Sequence, residues 1–181
     1  MKRDPIGRRN VHLLLLLVFA LFAPAFAAAQ ADTVFLVRHA ERADTPEGSA
    51  PPMNREGAPP ADPDLSAAGR TRAASLANML KDAKITAIYS TQLKRAQQTA
   101  APLAQALGLS VTTVPGDDSA ALVAKIKAAT GNVLVVGHTN TLPRVAEQLG
   151  VKTPLTIGET EYDNLFVVHT KTASLVRLHY K

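Results

Sequence analysis

Two histidines and two arginines stand where apolar runs end. In "TVFLVRHAER", Val34 to Val37 lead straight into Arg38 and His39. "ITAIYS" ends in Ser90, with Thr91 next and Arg95 one turn on. "VLVV" (Val133 to Val136) runs into Gly137 and His138, then Thr139 and Asn140. A neutral imidazole is a competent nucleophile. Arginine matches phosphate oxygens with a planar fork of charge-assisted hydrogen bonds. A helix beginning after His138 would add backbone N–H groups and the positive end of a dipole. This set suits phosphoryl transfer. Ser90, Thr91, Thr139 and Asn140 add polar groups that can touch a bound substrate.

For these residues to meet, their strands must lie side by side. Ligands of open α/β sheets gather at the carboxyl ends of the strands. Val34–Val37 and Val133–Val136 are unbroken apolar runs, as expected of strands buried on both faces. Ile85–Ser90 is a second strand and Ser110–Val114 a weaker third. Between them, Leu65–Ala83 reads as a helix capped by Ser66, with Ala73, Leu76, Ala77 and Leu80 on one face. "LKRAQQTAAPLAQALG" is a helix with Leu103, Ala104 and Leu107 inward and Gly108 as its stop; Pro102 should kink it or mark a restart. Asp117 or Asp118 caps a helix that ends at Gly131, and another spans Leu142 to Leu149 with Pro143 in its first turn. "NLFVV" and "SLVRLHY" form a closing hairpin. This alternation gives an α/β fold: a three-layer α/β/α sandwich with a mainly parallel sheet. Glu41 to Asp64, crowded with prolines, reads as a long loop and a candidate lid.

The first residues read differently. Lys2, Arg3, Arg8 and Arg9 precede an apolar block from Val11 to Ala23, followed by Pro24 and small residues. This is the pattern of a secretory signal peptide over residues 1–31. The block is shorter than the ~20 residues of a spanning helix, so an uncleaved anchor fits less well. Cleavage after Ala31 fits best, through Ala29-Gln30-Ala31; cleavage after Ala27 or Ala29 also fits. Residues 32–181 then form one domain, periplasmic or secreted, with no stable membrane insertion once the leader is cut. The leader carries four basic residues and one acid, so its loss drops the formal charge from +5 to +2. That charge and the scarcity of aromatics give no nucleic-acid footprint. Cysteine is absent, which excludes disulfides.

Four blocks carry a family resemblance: "LVRHAE", "LSAAGRTRA", "IYSTQLKRAQQTA" and "VLVVGHTNT". In this order they resemble the histidine phosphatase superfamily, the phosphoglycerate mutase-like proteins, and most of all its small exported bacterial members. The resemblance implies a metal-independent phosphatase without cofactor, acting on a small phosphorylated substrate. His39 would take up the phosphoryl group, while Arg38, Arg95 and His138 clamp its oxygens. An acid would protonate the leaving oxygen. The mutase-like branch has a glutamate between the second arginine and the second histidine; here Asp117 and Asp118 stand there. The phytase-like branch has an aspartate directly after the second histidine; here Thr139 and Asn140 follow. Asp117 is favoured, because Asp118 is better placed as a helix cap, and Glu41 is the alternative. A weakly catalytic phosphate- or phosphosugar-binding module and a phosphotransferase or mutase are the rival functions. A zinc hydrolase lacks the H-E-x-x-H spacing. His169 and His179 read as structural, and the acids of "GETEYDNLF" as a solvated loop. Oligomeric state is not legible.

Overall fold

The computed structural model describes residues 31–46, 48–50 and 62–181. The expected leader lies outside this range except for Ala31, and so does most of the Pro-rich stretch. Among the described residues no helix is long and apolar enough to cross a membrane. The strands are β1 (Thr33–Arg38), β2 (Ile85–Ser90), β3 (Val111–Thr113), β4 (Asn132–Gly137), β5 (Asn164–His169) and β6 (Ser174–His179). The helices are α1 (Ala67–Leu80), α2 (Lys94–Leu107), α3 (Ser119–Ala128) and α4 (Thr141–Gln148).

The sheet order is β3-β2-β4-β1-β5-β6. The four strands from β3 to β1 are parallel, and β5 and β6 complete the sheet as an antiparallel hairpin. Side-chain alternation splits the core in two. Val34 and Leu36 of β1, with Val133 and Val135 of β4, pack with Ile126 of α3 and with Leu142 and Val145 of α4. Val37, Leu134 and Val136 point the other way, to Leu76 and Leu80 of α1 and Leu103 of α2. Each fully buried aliphatic side chain contributes roughly 1.5–3 kcal/mol. With helices on both faces, the central strands have no wet side, which is why their sequence does not alternate. The expected three-layer sandwich is the observed one.

Helix ends follow their local chemistry. Ser66 Oγ accepts from the Gly69 N–H at 3.0 Å, and Asp118 Oδ1 from the Ala121 N–H at 2.9 Å. Gly108 closes α2 with φ 65°. Pro102 does not restart that helix; α2 runs through it as one element. A first helical turn tolerates a missing N–H, and Pro143 sits in that of α4.

Gly69 shows how tightly α1 meets the loop after β1. A Cβ placed on it would stand 2.3 Å from the Glu41 carbonyl oxygen. That carbonyl also accepts from the Ser66 N–H at 2.9 Å. Alanine normally improves a helix interior by roughly 0.5–1 kcal/mol over glycine. Here Gly69→Ala is expected to destabilise instead, by about 1–3 kcal/mol through overpacking against backbone. Urea denaturation decides the sign, and a gain in stability would contradict the close approach.

Candidate active site

The β1–β4 register sets Arg38 beside Gly137. One residue further on, the His39 N–H donates to the Gly137 carbonyl at 2.9 Å. The two histidines therefore leave the sheet together, with ring centroids 5.1 Å apart. Gly137 permits this exit: a Cβ there would stand 2.7 Å from Thr141 Oγ1 and 2.8 Å from Leu142 Cδ2. The same Thr141 hydroxyl oxygen accepts from the His138 N–H at 2.8 Å, fixing the turn into α4. Arg95 arrives from the first turn of α2, which follows β2.

These side chains line a cavity of about 670 Å³ at the carboxyl edge of the parallel strands. Of the sequence candidates, Arg38, His39, Arg95, Asp117, His138, Thr139 and Asn140 all line it. Three expectations are corrected. Glu41 turns away and pairs with Arg72 at 2.6 Å, beside a different hollow. Ser90 is buried, and its hydroxyl donates to the Thr91 carbonyl at 3.1 Å. Thr91 stands behind His138, with Oγ1 2.8 Å from Nε2, so it orients the ring rather than walling the cavity. Asp118 is used as the α3 cap, which leaves Asp117 as the aspartate facing the cavity.

The sequence reading missed three further groups. Arg42 lines the cavity but is held by Asp44 at 2.6 Å. Arg144, on α4, and Glu159 also line it. Glu159 stands 3.8 Å from the Arg38 guanidinium. The loop carrying Glu159 is not merely solvated. Arg38 Nη1 donates to the carbonyls of Gly158, Glu159 and Glu161 at 3.0, 2.8 and 3.1 Å. The Arg38 guanidinium also lies 4.1 Å from the centre of the Tyr162 ring. Position within the motif flagged neither role for this loop, because backbone carbonyls have no residue signature.

The electrostatics favour a neutral His39. His39 Nδ1 lies 2.8 Å from the Ala40 carbonyl, which can only accept, so Nδ1 carries the proton. The lone pair is left on Nε2. Burial pushes the His39 pKa from 6.5 down to about 2, and neighbouring His138, Arg95 and Arg38 push the same way. Burial, then Arg95, Arg38 and Arg42, bring His138 to about 4. Burial also lowers Arg38 and Arg95 from their ordinary value. Arg38 Nε is buried and lacks a hydrogen-bond partner. A buried donor without an acceptor is costly. Among the described residues no cluster of three or more histidine, aspartate or glutamate side chains has metal-binding geometry.

A model of the histidine phosphatase superfamily (branch 1) matches residues 34–116. That match spans a little under half of this chain, and over it the chain is similar to this superfamily. Rv0525 of Mycobacterium tuberculosis is 47% identical over 51 residues, which are 28% of this chain and 25% of that protein. The match thus spans a quarter of that relative's length. Among solved structures, mycobacterial glucosyl-3-phosphoglycerate phosphatase Rv2419c superposes with TM-score 0.58 at 17% identity, over 83% of this chain and 98% of that one. The protein histidine phosphatase SixA, complexed with tungstate, gives 0.57 at 20% identity, over 82% and 95%. At these identities the likeness is one of fold.

The depressed histidines make a pH statement with a definite sign. Between the ordinary value of 6.5 and the lowered values, the unfolded chain binds protons that the folded site refuses. Their contribution to stability is complete above about pH 6.5 and is lost as pH falls through about 4 for His138. Imidazole NMR is expected to show His39 neutral, protonated on Nδ1, throughout pH 5–8. A titration midpoint near 6.5 would rule out this environment.

Proposed function

We propose that the chain is a phosphohydrolase that cleaves small phosphomonoesters, or a phosphohistidine, through His39. One observation carries the reading: the free Nε2 of a neutral, buried His39 faces a cavity that Arg38, Arg95 and His138 share. Nε2 attacks phosphorus, and the bond from phosphorus to the leaving oxygen breaks. The phosphoryl group then sits on Nε2. The arginines and His138 stabilise its oxygens as charge develops. Asp117 gives a proton to the leaving oxygen, then takes one from the water that cleaves the P–N bond. Inorganic phosphate leaves and the imidazole is restored. The match to the family model and the phosphatases of the same fold support this reading; the substrate rests on the cavity chemistry alone.

His39→Ala is expected to lower kcat by on the order of 10⁴-fold or more, and to abolish the alkali-stable phosphorylated species in rapid-quench labelling. Turnover that survives in this variant, unchanged by a chelator, would dismiss the mechanism. The acid is tested by leaving group. Asp117→Asn should cost about 10²–10⁴-fold on an alkyl phosphate, but far less on nitrophenyl phosphate, whose oxygen needs little protonation. Equal losses on both would remove Asp117 from this role and turn attention to Glu159.

We also propose export behind the basic and apolar leader. Ala31 is only 1% exposed, within the core that β1 shares with α3 and α4, and its carbonyl accepts from the Thr170 hydroxyl. A cut after Ala31 would remove this residue, whereas cuts after Ala27 or Ala29 keep it. N-terminal sequencing of the secreted protein is expected to begin at Ala28 or Gln30. A start at Asp32 would refute that choice.

A further inference from the structure

Thr99 is a polar side chain of the interior that takes no part in the bond changes. It lies one turn after Arg95 on α2 and is fully buried, at 0% exposure. A buried threonine on a helix commonly donates to the carbonyl four residues back, and that bond alone would be packing. Thr99 Oγ1 does donate to the Arg95 carbonyl, at 2.7 Å. It also accepts from the Ala40 N–H at 2.9 Å, from a residue 59 positions away in the chain. A hydroxyl has one proton to give. Given to Arg95, it leaves a lone pair for Ala40.

The amide so received is the first beyond the sheet pairing. β1 ends at Arg38, and the His39 N–H donates to the Gly137 carbonyl of β4 at 2.9 Å. The next N–H belongs to Ala40, which is fully buried and lies past the strand. His39 is therefore held from both sides, by β4, which carries His138, and by α2, which carries Arg95. Ala40 in turn presents its carbonyl to His39 Nδ1 at 2.8 Å, the contact that leaves the lone pair on Nε2. The bond that one imidazole nitrogen makes decides which tautomer is present. Three contacts thus run in series from the Arg95 carbonyl, through Thr99 and Ala40, to the His39 ring.

The seat of Thr99 does not depend on its hydroxyl. Ala96, Ala100 and Leu103, around it on α2, are fully buried in the core against the sheet. Resting on the phosphohydrolase reading, we propose that Thr99 is a positioning residue for the nucleophile. Its hydroxyl fixes the peptide after His39 against the turn that carries Arg95, and so keeps the His39 ring in the tautomer with Nε2 free.

The test uses the mature chain with Thr99→Val, which keeps the shape and deletes the hydroxyl, and Thr99→Ser, which keeps the hydroxyl. Thr99→Val should lower kcat on nitrophenyl phosphate by about ten- to a hundredfold, the scale of a misplacement of about 1 Å, with KM within about twofold. Imidazole NMR should show His39 as the single Nδ1–H tautomer in the wild type and as a mixture of tautomers in Thr99→Val. Thr99→Ser should return most of kcat and the single tautomer. A threonine that only packs would cost stability in Thr99→Val and leave kcat and tautomer unchanged. That result, or Thr99→Ser as impaired in both readouts as Thr99→Val, would overturn the proposal. Should Thr99→Val fail to fold, Thr99→Ser and Thr99→Ala differ by the hydroxyl alone. The same gap in kcat and tautomer between those two supports the proposal, and equality overturns it. If the wild type hydrolyses no ester, the phosphohydrolase reading fails, yet the tautomer comparison still decides the role of Thr99.

Discussion

The parallel pairing of β1 with β4 is the constraint on which the site depends. It is a backbone interaction, so it is indifferent to the chemistry it delivers. Its register puts Arg38 beside Gly137, and the His39 N–H on the Gly137 carbonyl. A slip of one residue would send each strand's core side chains to the opposite face. Such a slip is prevented by the cores on both faces, because Val34, Leu36 and Val37 each fill a fully buried place. The position of the two histidines is thus set by aliphatic packing well below them. No loop has to hold either imidazole within reach of the other.

A second constraint follows from burying cations at that edge. Taking a guanidinium out of water costs several kcal/mol unless its donors find acceptors. For Arg38 the acceptors are three carbonyls of the 158–161 segment. That segment is held in turn by Glu161, whose carboxylate accepts from the Gly158 N–H, the Asn164 amide and Arg177 on β6. The antiparallel hairpin therefore has more than a structural part. It carries the brace that orients Arg38. The clustered positive charge has a chemical result as well. With burial, which is the larger cause, it keeps both imidazoles neutral, and it leaves a field that draws anions.

The features legible in the sequence are those that leave a pattern in residue type. Apolar runs, Ser66 as a cap and Gly108 as a stop gave the elements nearly to the residue, and strand ends gave Arg38, His39, Arg95 and His138. What was illegible has a common cause. Glu41 reads as a site acid from its nearness to His39 in the chain, yet Arg72 of α1 captures it across the fold. Thr91 reads as a phosphate contact, yet it serves His138. The Arg38 brace uses main-chain oxygens, for which "GETEYD" offers no cue. Pro102 reads as a kink or a restart, but α2 runs through it as one element with Ala100, Leu103 and Ala104 buried in the core. In each case a long-range partner overrides a local rule.

The distribution of arginines gives the last step. In a site with several cations, those already paired within the protein shape the field, and those left available select the ligand. Arg42 belongs to the first group, since Asp44 occupies its Nε and one of its Nη groups. Arg38 also belongs there, with its Nη groups tied to the brace and to the Tyr162 hydroxyl. Arg144 is exposed on the α4 side of the same cavity. The cavity is therefore graded. Its floor, at the strand ends, is made of the buried side chains of Arg38, His39 and Arg95. Its wall, on α4, is fixed in backbone by the buried Val145 and Ala146 and is exposed in side chain. The sheet sets the first, and the helix that follows the second histidine sets the other.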